Sequence, residues 1–172
     1  MAKNIEIKAS VLNKDNLVAL VEQVADSGPV EIRQDDTFFR CSNGRLKLRL
    51  LSPNYGELIY YNRPDISGPK ISNYSISVTT EPERLQKTLE VALGITGRVL
   101  KKRLLYMFGA TRIHVDEVVG LGSFVELEVV LSDSDPIELG EQIAEELMMR
   151  LGIKDEDLLE GAYVDMNSVS FS

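Results

Sequence analysis

The sequence predicts an α+β fold, with eight strands in antiparallel order and amphipathic helices packed on one side of the sheet. Three observations predict it. First, five stretches alternate charged with aliphatic residues: Asn4-Ile5-Glu6-Ile7-Lys8, Arg45-Leu46-Lys47-Leu48-Arg49, Val99-Leu100-Lys101-Lys102-Arg103, Arg112-Ile113-His114-Val115-Asp116 and Phe124-Val125-Glu126-Leu127-Glu128-Val129. Side chains on a strand point to opposite faces in turn, so each stretch sorts its charges from its aliphatics. Second, short turn signals such as Ser42-Asn43-Gly44 and Gly120-Leu121-Gly122 separate consecutive strand patterns. Third, apolar residues recur at helical spacing in three longer segments.

Taken in order, a first strand is followed by a helix from Lys14 to about Ala25. Asn13 caps it, and Leu17, Leu20, Val21 and Val24 lie on one face. Ser27-Gly28-Pro29 reads as its end. Strands are expected at Val30 to Arg40, Arg45 to Leu51 and Glu57 to Arg63. After a loop from Pro64 to Ser72 comes another, Asn73 to Thr79. A helix from Glu81 to Leu93 stops at Gly94. Arg98 to Phe108, Thr111 to Val118 and Ser123 to Leu131 complete the strands. Asp135-Pro136 opens a helix that runs through Arg150, a shorter acidic helix covers Lys154 to Glu160, and the tail from Tyr163 is weakly determined.

Eight strands on short connections fit a closed antiparallel barrel with a charged lumen, because closure removes exposed edges. An open sheet with one wet face and helices behind it satisfies the same periodicity.

Charge separates the sheet face from the rest of the chain. The whole sequence carries 27 acidic and 19 basic residues, net −8. On the alternating strands the balance reverses: Lys8, Arg45, Lys47, Arg49, Lys101, Arg103 and Arg112 outnumber Glu6, Asp116, Glu126 and Glu128. Cations gathered against the global trend point to a multiply charged anion. Carboxylates beside that anion make sense if they hold a hard divalent cation, Mg²⁺ or Mn²⁺, that bridges to it. Polyphosphate with metal explains both halves. Lys102 and Glu117 face the other way and read as surface charge. His114 shares a face with Arg112 and Asp116 and reads as structural, with proton transfer open.

The remaining composition bounds the rest. The 172 residues fit a single domain over 1–172. No stretch approaches the ~20 apolar residues of a membrane span. The first residues lack the apolar run of a secretory signal, and the lone Cys41 fits a reducing compartment, so a cytoplasmic location is expected. Net acidity argues against bulk nucleic-acid binding. The acidic C-terminal residues, among them Glu138, Glu141, Glu145 and Glu146, read as wet helix faces.

In their order along the chain, these motifs resemble the CYTH family of triphosphate tunnel metalloenzymes, which includes class IV adenylate cyclases, thiamine triphosphatases and inorganic triphosphatases. Asn4-Ile5-Glu6-Ile7-Lys8 resembles the family's E-x-E-x-K strand except at the first acidic position. Arg45 to Arg49 resembles its basic R-L-R element and Val99-x-Lys101-x-Arg103 its V-x-K-x-R element; Asp116 and Glu126-Leu127-Glu128 resemble its later carboxylates. The resemblance implies a closed eight-stranded barrel, the triphosphate tunnel. It also implies a divalent-metal-dependent hydrolase acting on an inorganic or organic triphosphate. An adenylate cyclase making cyclic AMP and pyrophosphate, and a non-catalytic polyphosphate binder, are the alternatives. Lys8, Arg45, Lys47, Arg49, Arg63, Lys101, Arg103 and Arg112 would grip phosphate, and Lys70, placed on a loop, would be a further contact. Glu6, Asp116, Glu126 and Glu128 would hold Mg²⁺ or Mn²⁺, with Glu6, Lys8, Arg103, Glu126 and Glu128 as the catalytic set. The partner would be a triphosphate-containing small molecule, with no membrane and a homodimer allowed. Asn4 departs from the pattern: an amide oxygen ligates a hard cation without supplying charge.

Overall fold

Strand pairing closes the sheet on itself. The computed structural model describes residues 2–166. Its strands are β1 (Ala2–Val11), β2 (Ser27–Phe39), β3 (Arg45–Ser52), β4 (Tyr55–Asn62), β5 (Lys70–Thr79), β6 (Ile95–Phe108), β7 (Thr111–Val118) and β8 (Gly122–Leu131). Around the barrel they run β1-β5-β4-β3-β2-β6-β7-β8, and every pairing is antiparallel. The closed barrel expected from the short connections is therefore formed, and the open sheet is excluded.

Among the described residues four helices accompany it: α1 (Lys14–Val24), α2 (Pro82–Leu93), α3 (Ile137–Arg150) and α4 (Tyr163–Met166). Asn13 caps α1 as expected, its side-chain oxygen accepting from the Asn16 N–H at 3.1 Å. Leu17 and Val21 of α1, with Ala144 and Leu147 of α3, pack on the outward aliphatics of β1, β7 and β8, among them Ile7, Ile113 and Leu127. These are the residues that alternate with the charges, so burying them outside turns the charges inward. Each fully buried Leu or Ile there contributes about 1.5–3 kcal/mol. Gly140 lets α3 settle on β1, since a Cβ there would sit 2.6 Å from Ile5 Cγ1.

Three local expectations are corrected. β2 begins at Ser27, not Val30, because the chain re-enters the sheet at once: Asp26 N–H donates to Met107 O at 2.8 Å, and Ser27 pairs with Met107 across a bulge. β5 begins at Lys70, so Lys70 lies on a strand opposite Glu6, not on a loop. The acidic helix over Lys154 to Glu160 shrinks to a 3₁₀ turn, Asp155–Asp157. The residues after it extend along β1, with Leu159 N–H donating to Lys8 O at 2.9 Å and Ala9 bridging to Leu158. β1 pairs with β5 only from Ala2 to Glu6, so its remaining backbone needed partners on that side. Of the weakly determined tail, Tyr163–Met166 forms α4, and residues 167–172 lie outside the described residues.

Candidate active site

Inside the barrel lies a cavity of about 120 Å³, lined by charged residues from six strands. Strand alternation puts Asn4, Glu6 and Lys8 on the inner face of β1, Lys47 and Arg49 on that of β3, and Lys101 and Arg103 on that of β6. Arg112 joins from β7, Glu126 and Glu128 from β8, and Arg63 from just beyond β4. Register brings the motifs together. Glu6 faces Glu128 and Lys8 faces Glu126 across the β1–β8 pair, while Arg112 faces Glu128 across β7–β8.

Two expected members do not line this cavity. Asp116 is fully buried, and both its oxygens are taken: Arg103 donates Nε and Nη2 to Oδ1 and Oδ2 at 2.7 Å each, and Tyr163 donates its hydroxyl to Oδ2 at 2.9 Å. Arg45 is held by α4, its Nη2 donating to Asp165 Oδ2 at 2.6 Å, in a separate pocket with Tyr61, Arg63 and Asp65. Lys70 does not line the cavity either; its ammonium donates to Ile66 O and Leu159 O at 2.8 and 3.2 Å. Lys102 pairs with Glu31 and Glu117 with Lys14 on the outer surface, as their parity required.

Positive charge exceeds what the local carboxylates neutralise. Burial pushes the Lys8 ammonium down to about 8, with Glu126 opposing the shift and Arg63 adding to it. Burial likewise lowers Lys47, and it drives Lys101 well below the ordinary lysine range, where Arg103 adds to the shift. Glu126 goes the other way. Burial alone would raise its carboxyl, yet Lys8, Arg103 and Lys101 hold it well below the usual range. Arg103 ties it down directly, Nη2 to Oε2 at 2.8 Å. Glu128 is raised to about 7, first by burial and then by its neighbours Glu6 and Glu126. His114 is buried beside it, Nδ1 3.6 Å from Glu128 Oε1 and without a hydrogen bond. Burial and Arg103 keep its imidazole neutral.

Sequence reasoning missed Asp36. It sits on the inner face of β2, 1 % exposed, and accepts two bonds of 2.9 Å from Arg49, with Lys47 at 3.1 Å and Lys101 at 3.8 Å. Those three cations outweigh burial and hold its carboxyl well below the ordinary value. Tyr163 was also missed. Its ring lies under Lys8, 3.9 Å from Nζ to the centroid, and packs on Phe124. Gly161 O accepts from Arg63 Nη2 at 3.0 Å and from Lys8 Nζ at 3.4 Å. Residues 159–166 thus form a floor across one end of the barrel. Gly97 makes room for it, since a Cβ there would meet Val164 Cγ2 at 2.2 Å.

The comparisons fit this geometry. The family model described as the CYTH domain matches residues 2–163. A protein of Methanocaldococcus jannaschii named "Putative adenylate cyclase" is 22% identical over 174 residues, covering 96% of this chain and 98% of its own length. The solved structure of the PH1012 protein from Pyrococcus horikoshii superposes with a TM-score of 0.82 at 22% identity, covering 94% of this chain and 98% of that one. A Hippeastrum protein, described as a "putative adenylyl cyclase" that "reveals a dominant" triphosphatase activity, superposes at 0.65 with 16% identity, covering 96% and 93%. The likeness of the solved structures establishes the fold, and the family match over nearly all of the sequence establishes the lineage: this chain belongs to the CYTH domain family.

Proposed function

We propose that this protein is a divalent-metal-dependent phosphohydrolase that binds the triphosphate of its substrate in the barrel lumen. The observation that carries the reading is the group of buried Lys8, Lys101 and Arg103 with half-buried Lys47 and Arg49, five cations around one cavity in a chain of net charge −8. Burial depresses the three lysines, so an anion bound beside them would favour their charged forms. The arginines would grip phosphate oxygens in pairs and the lysines as point charges. Arg63 and Arg112 would extend the grip; Arg45, engaged by Asp165, would stay outside it.

The residues fit a hard divalent ion. The rise of Glu128 to about 7 beside Glu6 and Glu126 marks a local crowding of carboxylates that a cation relieves. Among the described residues no three acidic, histidine or cysteine side chains converge to cage an ion unaided. Ions of the Mg²⁺ type bind one or two carboxylates and complete their shell with phosphate oxygens and water. Glu128, with Glu6 or Glu126, would hold Mg²⁺ or Mn²⁺, which when bound polarises phosphoryl oxygen and acidifies water. Asp116 would act instead as a positioning residue that aims Arg103.

Catalysis then rests on alignment and neutralisation. Arg49, Lys101 and Arg103 stabilise charge on the non-bridging oxygens as the terminal phosphoryl group leaves, and Asp36 keeps Arg49 extended toward them. The test is product analysis with tripolyphosphate, thiamine triphosphate, ATP and GTP, each with Mg²⁺ or Mn²⁺. Orthophosphate release supports the reading; cyclic AMP with pyrophosphate from ATP replaces it with the cyclase, and tight calorimetric binding without turnover replaces it with a binder.

A further inference from the structure

Glu128 is the most loosely held carboxylate of the cavity. Among the described residues four carboxylates line it, and three are gripped by a guanidinium. Arg63 donates to Glu6 at 2.6 Å, Arg49 to Asp36 at 2.9 Å and Arg103 to Glu126 at 2.8 Å. Glu128 has no such grip. Its one hydrogen bond among the described residues runs from Arg112 Nη1 to Oε2 at 3.5 Å, and the Arg112 side chain is 42% exposed. A bond of that length to a solvent-facing arginine leaves the carboxylate free to turn.

The partner within reach is His114. It lies two residues from Arg112 on the inner face of β7 and directly opposite Glu126, so Glu128 is its diagonal neighbour on β8. The side chain is 5% exposed, and Nδ1 stands 3.6 Å from Glu128 Oε1, with no hydrogen bond among the described residues. That gap is about half an ångström beyond hydrogen-bond length. Leu105, opposite on β6, has no polar side chain to offer. Burial and the neighbouring Arg103 keep the imidazole neutral, so one ring nitrogen carries a hydrogen and the other a lone pair. A buried ring nitrogen left unpaired is costly, and a small movement of Glu128 toward it removes that cost.

We propose that His114 is a positioning residue for Glu128: Nδ1–H donates to Oε1 while Arg112 donates to Oε2, and the carboxylate so held presents its remaining lone pairs to the divalent ion. This rests on the metal reading above and deepens it, by giving the ligand its orienting contact. The tautomer follows from the acceptor: a carboxylate oxygen facing Nδ1 requires the hydrogen there and leaves the lone pair on Nε2. Carboxylates that ligate metal depend on such outer partners, whose removal costs about 10–100-fold in metal affinity.

The experiment is calorimetric titration of Mg²⁺, and of Mn²⁺, into the wild type, His114→Leu, His114→Gln and His114→Asn, each also in a Glu128→Gln background. Asparagine places an amide N–H where Nδ1 stands, whereas glutamine reaches past it toward the Nε2 position. His114→Leu and His114→Gln are expected to weaken metal binding by about 10–100-fold, and His114→Asn to recover most of that loss. With Glu128 replaced, all three are expected to change little further. Circular dichroism checks the fold, and should His114→Leu fail to fold, the Gln and Asn variants decide between them. The proposal is overturned, with the metal reading intact, if the wild type binds metal and the Leu or Gln variant binds it as tightly, or if Asn does no better than Gln. Equal losses with and without Glu128 assign His114 to the fold and also overturn it. A wild type that binds neither ion removes the metal reading and the positioning role together.

Discussion

Tyr163 donates its hydroxyl to Asp116 Oδ2 at 2.9 Å, on the same carboxylate that grips Arg103 through two 2.7 Å bonds. The floor of the cavity and its most enclosed guanidinium therefore share one anchor. Removing that anchor leaves Arg103 buried, with Glu126 as its remaining carboxylate partner.

Asp116→Ala is accordingly expected to lower stability by about 3–5 kcal/mol, the range for breaking a buried pair. Tyr163→Phe, which deletes one hydrogen bond and keeps the ring, is expected to cost about 1 kcal/mol. Denaturant unfolding monitored by circular dichroism measures both. An Asp116→Ala protein within about 0.5 kcal/mol of wild type contradicts the anchor.

Arg49→Ala and Glu126→Gln address the proposed chemistry. Each is expected to reduce phosphate release by ~100-fold to 1000-fold, in line with the loss of a single transition-state contact. Far-ultraviolet dichroism should stay native. Full turnover in both variants would exclude the lumen as the reaction site.

Lys8 sets a pH dependence. With its ammonium lowered to about 8, the free protein loses that charge as pH rises through 8, while a bound anion favours keeping it. Binding above pH 8 should therefore take up a proton, and affinity should fall as pH rises. Calorimetry at pH 9 in two buffers of different ionisation enthalpy reads the uptake; Lys8→Met should reduce it, leaving the share of Lys47 and Lys101. Stability follows the opposite sign. The unfolded lysine titrates near 10.5, so between about pH 8 and 10.5 the unfolded chain binds more protons and this group's contribution rises with pH.

At Glu128 a proton and the proposed divalent ion would compete. Its carboxyl is raised to about 7, so below that pH the metal must displace a proton. Apparent Mg²⁺ affinity is expected to climb as pH rises toward 7 and to level off above it. Glu128→Gln should weaken binding and flatten the profile. A wild-type curve already flat between pH 5 and 8 would refute the assignment.

Much of this site was legible because alternation is a local property. Glu6 and Lys8, Lys47 and Arg49, Lys101 and Arg103, Glu126 and Glu128 each lie two apart on a strand, so their shared face needs no tertiary knowledge. Asp36 was not legible in that way. It sits between Asp35, which pairs outside with Arg98, and Phe38, and only the register of β2 on β3 places it against Arg49. The same distance effect hid the partners of Asp116, which was expected as a metal ligand: its parity is right for the lumen, but Arg103 and Tyr163 reach it first. The helix expected over Lys154 to Glu160 failed because unpaired backbone on β1 outbid local helix preference.

Residues 159–166 make the lumen a blind alley. A triphosphate bound as proposed would enter from the opposite end, and the phosphate lying deepest, toward Lys8 and Lys101 above the Tyr163 ring, would have the longest way back. Departure would then be ordered by depth: fragments nearer the open end would clear first, and the innermost one would leave last along the route by which it arrived.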